Sequence, residues 1–489
     1  MSIRGPVNDI GRTIDATPDA AAILTSRLEQ LRDRDYMKSV LQRALDDLSS
    51  RPGHVSDFEI TYCKVKPWRD VSLALSVDSH AERTGVLHRQ LVSGSMWASL
   101  DDAQTHWRDE LASESQAGAR RGVRASAVFV PELATVLRLF PADSVLTGLA
   151  PATDLARMSA LLSEHLPECR EGWRLRDLDV EPVHYKPARL CTLRYGATLD
   201  RPGGGESRRV HLFGKVYRDE RWEQSYETLA STWQASTTSG GAWHAARPIV
   251  AVGEWRFVVQ SGVPGERFRQ ALAELTADDA GPGQLRQIAT NLTAVARAIH
   301  SMQQAPVRQG PALDFGALFA AQQRNLDYLR GMHDSTAREL ERLRREIERV
   351  AAATPASDLV LSHGDFAHGN VMLAGNEVGI IDFDRMGQAE PAYDVAYFLT
   401  HLTSFTLRHP RRAMHMQPLC DHFRAAYLEL APEVSPRRLA LYEALDLSAY
   451  VLRNFRKQSH QARWLKWAGG QIEAAWERLG HAAPAGRDL

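Results

Sequence analysis

LVLSHGDFAHGNVMLAGNEVGIIDFDRMGQAEPAYDVAYFL, residues Leu359 to Leu399, decides the fold. Three apolar runs punctuate it: Leu359–Leu361, Val371–Leu373 and Val378–Ile381. A polar, glycine-broken loop between the first two holds Asp365 and Asn370 five positions apart. The third run ends on another acid, Asp382. Short apolar runs bounded by such breaks read as strand–loop–strand–turn–strand, with polar side chains delivered at the strand ends.

Phosphoryl transfer from a nucleotide needs this set of groups. One carboxylate orients an acceptor hydroxyl, and a second carboxylate plus an amide oxygen hold metal ions. His363, Asp365 and Asn370 give the spacing H-x-D-x-x-x-x-N, and Ile381-Asp382-Phe383 supplies the metal-binding acid. The stretch resembles the catalytic core of the aminoglycoside phosphotransferase (APH)/choline kinase-like branch of the protein-kinase-like fold. That branch typically reads H-G-D-x-x-x-x-N, then I-D-[FW], then G-D-P-x-x-D-[LV]-A. The third block here runs Gly387-Gln388-Ala389-Glu390-Pro391 and Asp394-Val395-Ala396, with two inserted residues and Glu390 for the usual Asp. The resemblance implies an α+β bilobal fold, ATP and magnesium as cofactors, and His363 and Asp394 as scaffold. A chance loop of scattered acids would have to reproduce three blocks in order.

At 489 residues the chain exceeds one typical core, so two or three domains are expected. Apolar content of 44% and charged content of 24% are ordinary for a globular protein. A net charge of −1 makes no case for nucleic-acid or membrane partners. No apolar run approaches the roughly 18 residues of a membrane span. Met1–Asp15 lacks a signal-peptide core, and a cytoplasmic location is expected. Cys63, Cys169, Cys191 and Cys420 are scattered without a C-x-x-C pair, which reads as small buried hydrophobes.

Upstream, Leu178–Arg218 holds three strand-like runs, and the third carries Lys215. A helix pattern follows, with Asp219 as N-cap and Trp222, Tyr226, Leu229 and Trp233 at helical spacing. A strand lysine followed by an acid-bearing helix is how kinases build the Lys–Glu pair that positions the α- and β-phosphates. Glu223 is the expected partner, with Glu227 left open. The Gly203–Gly205 cluster lies between the second and third strands, where it reads as a hairpin tip. The phosphate loop is expected at Tyr185-Lys186-Pro187-Ala188-Arg189, with Ala188 where similar kinases have glycine, and Arg189 or Lys186 available to phosphate. Arg256–Gln260 reads as the strand entering the hinge. The resemblance implies that backbone groups near Gln260 and Gly262 meet the adenine edge.

Beyond the hinge the chain turns helical: Gly283–Gln304, a charged segment Phe315–Ala353 broken near Gly331, then Pro391–Thr403, Pro418–Glu429, Pro436–Gln458 and Ala462–Leu479. In similar enzymes such helices wall the acceptor pocket, and acids there meet cationic acceptors. Glu390, Asp421 and Glu429 are available, and none is assigned.

The first 150 residues hint at a repeat. Lys66-Pro67-Trp68-Arg69 aligns with Lys186-Pro187-Ala188-Arg189, and the order helix–β–β–β–helix–β–β occurs twice. The N-terminal part reads either as a degenerate second small lobe or as an unrelated α+β domain. At the position of Lys215 the candidates are Arg89 and Gln90. The first 18 residues read as a loose arm. The expected organisation is a cap domain at 1–150, a nucleotide-binding small lobe at 151–262 and a helical large lobe at 263–489. The expected activity is transfer of the ATP γ-phosphate to a hydroxyl of a sugar, amino sugar, aminoglycoside or amino alcohol by a monomer or homodimer. Asp365 is catalytic, Asn370 and Asp382 hold metal, and Lys215, Glu223, Gln260, Gly262 and Arg189 bind nucleotide. Alternatives are a protein-side-chain kinase, an AMP transferase or a nucleotide-binding pseudokinase.

Overall fold

A computed structural model of the chain describes residues 18–50, 53–66, 70–81, 85–114, 125–275, 281–458 and 463–482. They fall into two units. The first comprises residues up to 140 with 331–333 and 456–461, and the second 141–330, 334–455 and 462 onward.

The first unit opens with helices α1 (Pro18–Gln30) and α2 (Arg34–Leu48). Asp33 caps α2 by accepting the Tyr36 N–H at 3.0 Å. Met37, Val40, Leu41, Ala44, Leu45 and Leu48 recur at helical spacing on its buried face. They share one core with the alternating residues Val71, Leu73, Leu75 and Val77. Those residues belong to a five-stranded antiparallel sheet: β1 (His54–Lys66), β2 (Asp70–His80), β3 (Leu87–Trp97), β4 (Ala127–Val130) and β5 (Thr135–Leu139), in the order β1-β2-β3-β5-β4. Helix α3 (Leu100–Glu114) joins β3 to β4.

The second unit starts with helices α4 (Leu149–Ala152), α5 (Leu155–His165) and α6 (Pro167–Arg170). A second sheet follows, of β6 (Arg174–Lys186), β7 (Leu190–Asp200), β8 (Ser207–Tyr217), β9 (Pro248–Val252) and β10 (Phe257–Ser261), in the order β6-β7-β8-β10-β9. Helix α7 (Arg221–Thr237) joins β8 to β9. The order repeats that of the first sheet.

The likeness extends to irregularities. The β1–β2 ladder slips at Val55/Asp57 and at Ile60/Tyr62, and the β6–β7 ladder at Leu175/Asp177 and at Pro182/His184. The slips lie 120 residues apart (Val55 to Leu175) and 122 apart (Tyr62 to His184). In both sheets the last two strands are joined by a 3₁₀ turn ending on a left-handed residue, Ala134 (φ 43°) or Arg256 (φ 47°). Bulges and strained turns are placed features rather than accidents of propensity, and they recur at matching places in the two sheets. Residues 67–69 of the Lys-Pro-x-Arg match, and the arm up to residue 17, lie outside the described residues.

Register corrects one expectation. Lys215 on β8 faces Thr192 and Val258, and Ser95 on β3 faces the corresponding Ser72 and Val136. Ser95, not Arg89 or Gln90, stands where Lys215 would be. Arg89 sits toward the start of β3, bonded to Asp78 at 2.7 Å.

The rest of the second unit is mainly helical: α8 (Phe268–Glu274), α9 (Pro282–Gln303), α10 (Phe315–Ala320), α11 (Gln323–Met332), α12 (Asp334–Ala352), α13 (Ala392–Arg408), α14 (Ala413–Leu430), α15 (Pro436–Gln458) and α16 (Trp464–Ala482). The expected helical segment from Phe315 thus breaks twice. The first break, at Ala321–Gln322, is where Gln322 turns inward and accepts Arg344 at 2.6 Å. Strands β11 (Glu266–Arg267), β13 (Val371–Ala374) and β14 (Glu377–Ile380) form a small sheet, and β12 (Val360–Ser362) pairs with β15 (Gly387–Ala389). Phe268, Phe366, Phe398 and Phe423 pack beneath them, fully buried. The loop bearing Asp365 and Asn370 is therefore pinned between β12 and β13. No helix among the described residues is long and apolar enough to cross a membrane.

Candidate active site

Strand β8 delivers Lys215, 8% exposed, into the second unit's interior. A buried ammonium needs carboxylate partners. Its Nζ donates to Asp382 Oδ1 at 2.6 Å and Asp384 Oδ1 at 2.9 Å. Burial alone would lower the lysine, but the charges of Asp382 and Asp384 hold it well above its ordinary value. The Lys215 charge in turn holds the Asp382 carboxyl well below the usual range. Asp382 adopts a left-handed backbone (φ 69°), a strain non-glycine residues bear mainly where the surroundings demand it.

Asp384 gathers Lys215, Tyr217 and Ser225 of α7, the last at 3.0 Å. Helix α7 therefore reaches the lysine's surroundings through Ser225, not through an acid. Glu223 and Glu227 are exposed, which corrects the expected Lys–Glu pair. Counting acids along the helix could not reveal which face turns inward; the buried residues Thr228, Leu229, Thr232 and Ala235 fix it. Glu220, rather than Asp219, stands at the N-cap.

The loop after β12 is organised by buried groups. Asp394 of α13 accepts the backbone N–H of His363 at 2.7 Å and of Gly364 at 3.1 Å. Gly364 is left-handed (φ 76°), and a side chain there would overlap the Arg385 carbonyl. His363, fully buried, accepts the Asp365 N–H at Nδ1 (3.2 Å) and lies 3.0 Å from the Ile381 carbonyl through Nε2. That pairing fixes the Nε2–H tautomer and leaves the ring no proton to exchange with a substrate. Asn370 donates its amide to the Asp365 carbonyl at 2.9 Å, which frees its own oxygen as an acceptor. The Asp365 carboxylate accepts the hydroxyl of Tyr397, and Arg385 Nη1 lies 4.0 Å from its Oδ1.

Beyond Arg385 opens a cleft lined in part by Asn325, Tyr393, Tyr442, Asp446 and Arg453. Gln260 shares a smaller pocket with Lys215, Ser225 and Phe383.

In the turn expected to be the phosphate loop, Ala188 is left-handed (φ 55°), the conformation glycine would adopt freely. Asp143 braces it, accepting the Ala188 N–H and the Tyr185 hydroxyl, each at 2.8 Å. Lys186 feels burial first, which lowers its pKa, and then the opposing pull of Asp382, Asp365 and Asp384. Lys186 is thus in electrostatic reach of all three acids, whereas Arg189 is exposed. Gly262 is a further correction. Its N–H already donates to the His211 carbonyl at 2.8 Å, so it is not open to an adenine edge.

The structure therefore brings Lys215, Asp382, Asn370 and Asp365 together, with Gln260 alongside, and leaves out Glu223, Gly262 and Arg189. Sequence reasoning missed Asp384, Ser225, Tyr397 and Arg385. A signal for two of them was present: Asp384 follows Asp382 by two, and Tyr397 follows Asp394 by one helical turn.

Known proteins were compared with the chain. Residues 206–432 match the phosphotransferase enzyme family, APH. This segment starts in the β7–β8 hairpin and carries Lys215, the Asp365 loop and Asp382, in agreement with the sequence resemblance. Among solved structures, the chain is similar to a choline/ethanolamine kinase family protein of Mesorhizobium loti, with 14% identity, 66% of this chain and 94% of that one covered and a TM-score of 0.39. It is also similar to the ADP-bound aminoglycoside phosphotransferase APH(2'')-Ib (14%, covering 66% and 99%, TM-score 0.40) and to APH(3'')-Id of Streptomyces rimosus (16%, covering 60% and 98%, TM-score 0.36). An uncharacterized protein of Deinococcus radiodurans is 37% identical over 86 residues, which span 17% of this chain and 24% of that relative.

In a phosphotransferase built this way, nucleotide affinity should depend on Asp384 and not on Glu223. Asp384→Asn removes one of two charges on a buried lysine and is expected to raise the nucleotide Kd about tenfold, the equivalent of ~1.4 kcal/mol. Glu223→Ala changes only an exposed residue and should stay within about twofold. Titration of a fluorescent ATP analogue checks both.

Proposed function

We propose that the protein is an ATP-dependent phosphotransferase that moves the γ-phosphate to a hydroxyl of a small molecule, in the presence of magnesium. The observation that carries this reading is the 2.6 Å bond between Lys215 and Asp382, residues 167 apart in sequence, together with Asp365 4.0 Å from Arg385, which lines the larger cleft. Lys215 would clamp the α- and β-phosphates, and Lys186 would add positive charge from the phosphate loop. Asp365, oriented by Tyr397 and by the Asn370 bond to its carbonyl, would align the acceptor hydroxyl and take up its proton late. Little base strength is needed, because the transition state is loose and positioning dominates.

The donor set fits magnesium: a carboxylate from Asp382 and a freed amide oxygen from Asn370, both hard oxygens. Magnesium is usually held by one or two protein oxygens together with substrate phosphates rather than by an all-protein cage. When bound, the metal would neutralise charge developing on the phosphates. The first unit, with Ser95 in place of the lysine, would be a non-catalytic cap. A cytoplasmic monomer or homodimer fits the sequence expectations.

An ATP-consumption screen over sugars, sugar acids, amino sugars and amino alcohols tests the reading. Label from γ-³²P-ATP should pass to one acceptor class, and label from α-³²P-ATP should not. Transfer of the α label would overturn it.

A further inference from the structure

The charges lining the cleft beyond Asp365 bear on the acceptor itself. Arg385 projects there with 60% of its side chain exposed, and its ion pair among the described residues is the 4.0 Å contact with Asp365. Arg453 lines the same cleft, held over Tyr397 and Tyr450 at 5.0 and 5.4 Å and bonded to Asp446 at 2.9 Å. Most acids that could receive a cationic acceptor have partners. Asp446 serves Arg453 through Oδ1 alone. Glu390 is closed off by Arg438, Tyr442 and the Ser357 N–H. Asp421 serves Arg424 and Gln417. A polycation entering this cleft would meet two guanidinium groups, with only Asp365 and one oxygen of Asp446 to receive it. An anion would meet Arg385, whose planar fork suits carboxylate or phosphate oxygens.

Resting on the phosphotransferase reading above, we infer that the acceptor is an anionic hydroxy compound, its carboxylate or phosphate held by Arg385 while its hydroxyl lies on Asp365. The geometry also limits the spacing. With Arg385 4.0 Å from the base oxygen, hydrogen bonds of ordinary length from both groups keep the hydroxyl and the oxyanion within roughly 10 Å of each other. The rings of Tyr393 and Tyr442 in the same cleft give the carbon skeleton an apolar wall.

The test uses the full chain with magnesium and ATP and acceptors matched in skeleton but not in charge: gluconate, glucose and glucosamine; glycerate and glycerol; glucose 6-phosphate; and kanamycin. An acidic member of one set should be preferred over its neutral counterpart by about 100-fold in kcat/KM, the size expected of a desolvated charge-assisted pair. The carboxylate and phosphate acceptors separate the two sources of the oxyanion. Arg385→Gln should remove that preference mainly through the acceptor KM and leave the ATP KM within about twofold. Arg385→Lys should restore part of the preference. Because Arg385 is largely exposed, all these variants should melt within a few degrees of the wild type, and thermal melts check this.

If neutral or amino acceptors are phosphorylated as well as the acidic ones, the inference falls while the phosphotransferase reading stands. If Arg385→Gln lowers kcat equally on every acceptor, the arginine serves the transferring phosphoryl group and the inference falls. If no acceptor in any set takes up phosphate in an Asp365-dependent manner, the phosphotransferase reading falls and takes the inference with it.

Discussion

Asp365→Ala is expected to lower kcat for transfer about 10³-fold or more while the ATP Kd stays within about threefold. The separation follows from where the carboxylate sits. Asp365 is bonded to Tyr397 and faces the Arg385 cleft, whereas the groups assigned to nucleotide, Lys215 and Asp384, are held by their own contacts. Removing the side chain leaves the loop intact, because its shape is set by backbone bonds to Asp394, His363 and Asn370. Tyr397→Phe provides a graded comparison. It keeps the base but deletes the hydroxyl that orients it, so kcat should fall about tenfold with little change in either KM. Steady-state rates on the best acceptor, combined with calorimetric ATP titration, check both variants. Wild-type turnover in Asp365→Ala would remove the residue from the chemistry.

Much of this site is legible in the sequence because its parts are local. Asp365, Asn370 and Asp382 stand in one stretch of strands and turns, and strand ends determine where they point. Lys215 is readable for the same reason, as a charged residue near the end of an apolar strand that leads into a helix. Its partner is not readable. Which side of α7 faces inward depends on packing against the sheet, and that places Ser225 inside and Glu223 in solvent. Gly262 fails for a related reason. A hinge glycine looks free in sequence, but antiparallel pairing of β8 with β10 brings the His211 carbonyl to its N–H.

The strand order shared by the two sheets lies between these cases. That order is visible as alternating runs, but the exchange of Lys215 for Ser95 emerges only from register, where a shift of one residue would invert every side chain. Arg385 was the hardest to see. It follows Asp384 directly, and only the turn before β15 determines that one enters the Lys215 cluster and the other the cleft with Arg453.

Glu390 marks the departure from the family pattern, and Glu390→Ala is expected to have the largest effect on stability. Glu390 and Arg438 have side chains only 3% and 4% exposed, and they bind through both carboxylate oxygens. Tyr442 adds a bond at 2.9 Å and the Ser357 N–H one at 3.0 Å. Removing the carboxylate strands a buried guanidinium, which costs about 3–5 kcal/mol. At a few degrees per kcal/mol for a unit of this size, Tm should fall by about 6–15 °C. Burial alone would raise the Glu390 pKa, but the Arg438 bond and the Ser357 N–H outweigh it and hold the carboxyl below its ordinary value. A depressed carboxylate stabilises the fold above its ordinary pKa of about 4.3 and loses that contribution as the pH falls through the folded value. The Tm difference between wild type and Glu390→Ala should therefore be full at pH 7 and narrow below about pH 4. A second substitution separates a lost interaction from a stranded charge. In Glu390→Ala with Arg438→Leu no unpaired cation remains, and much of the loss should be recovered. Because Arg438 and Tyr442 lie on α15 with Asp446 and Arg453, the single variant should also raise the acceptor KM more than the ATP KM. An additive double variant, or a Tm gap that widens toward acid, would show that the ion pair is not what holds α15 to the β15–α13 segment.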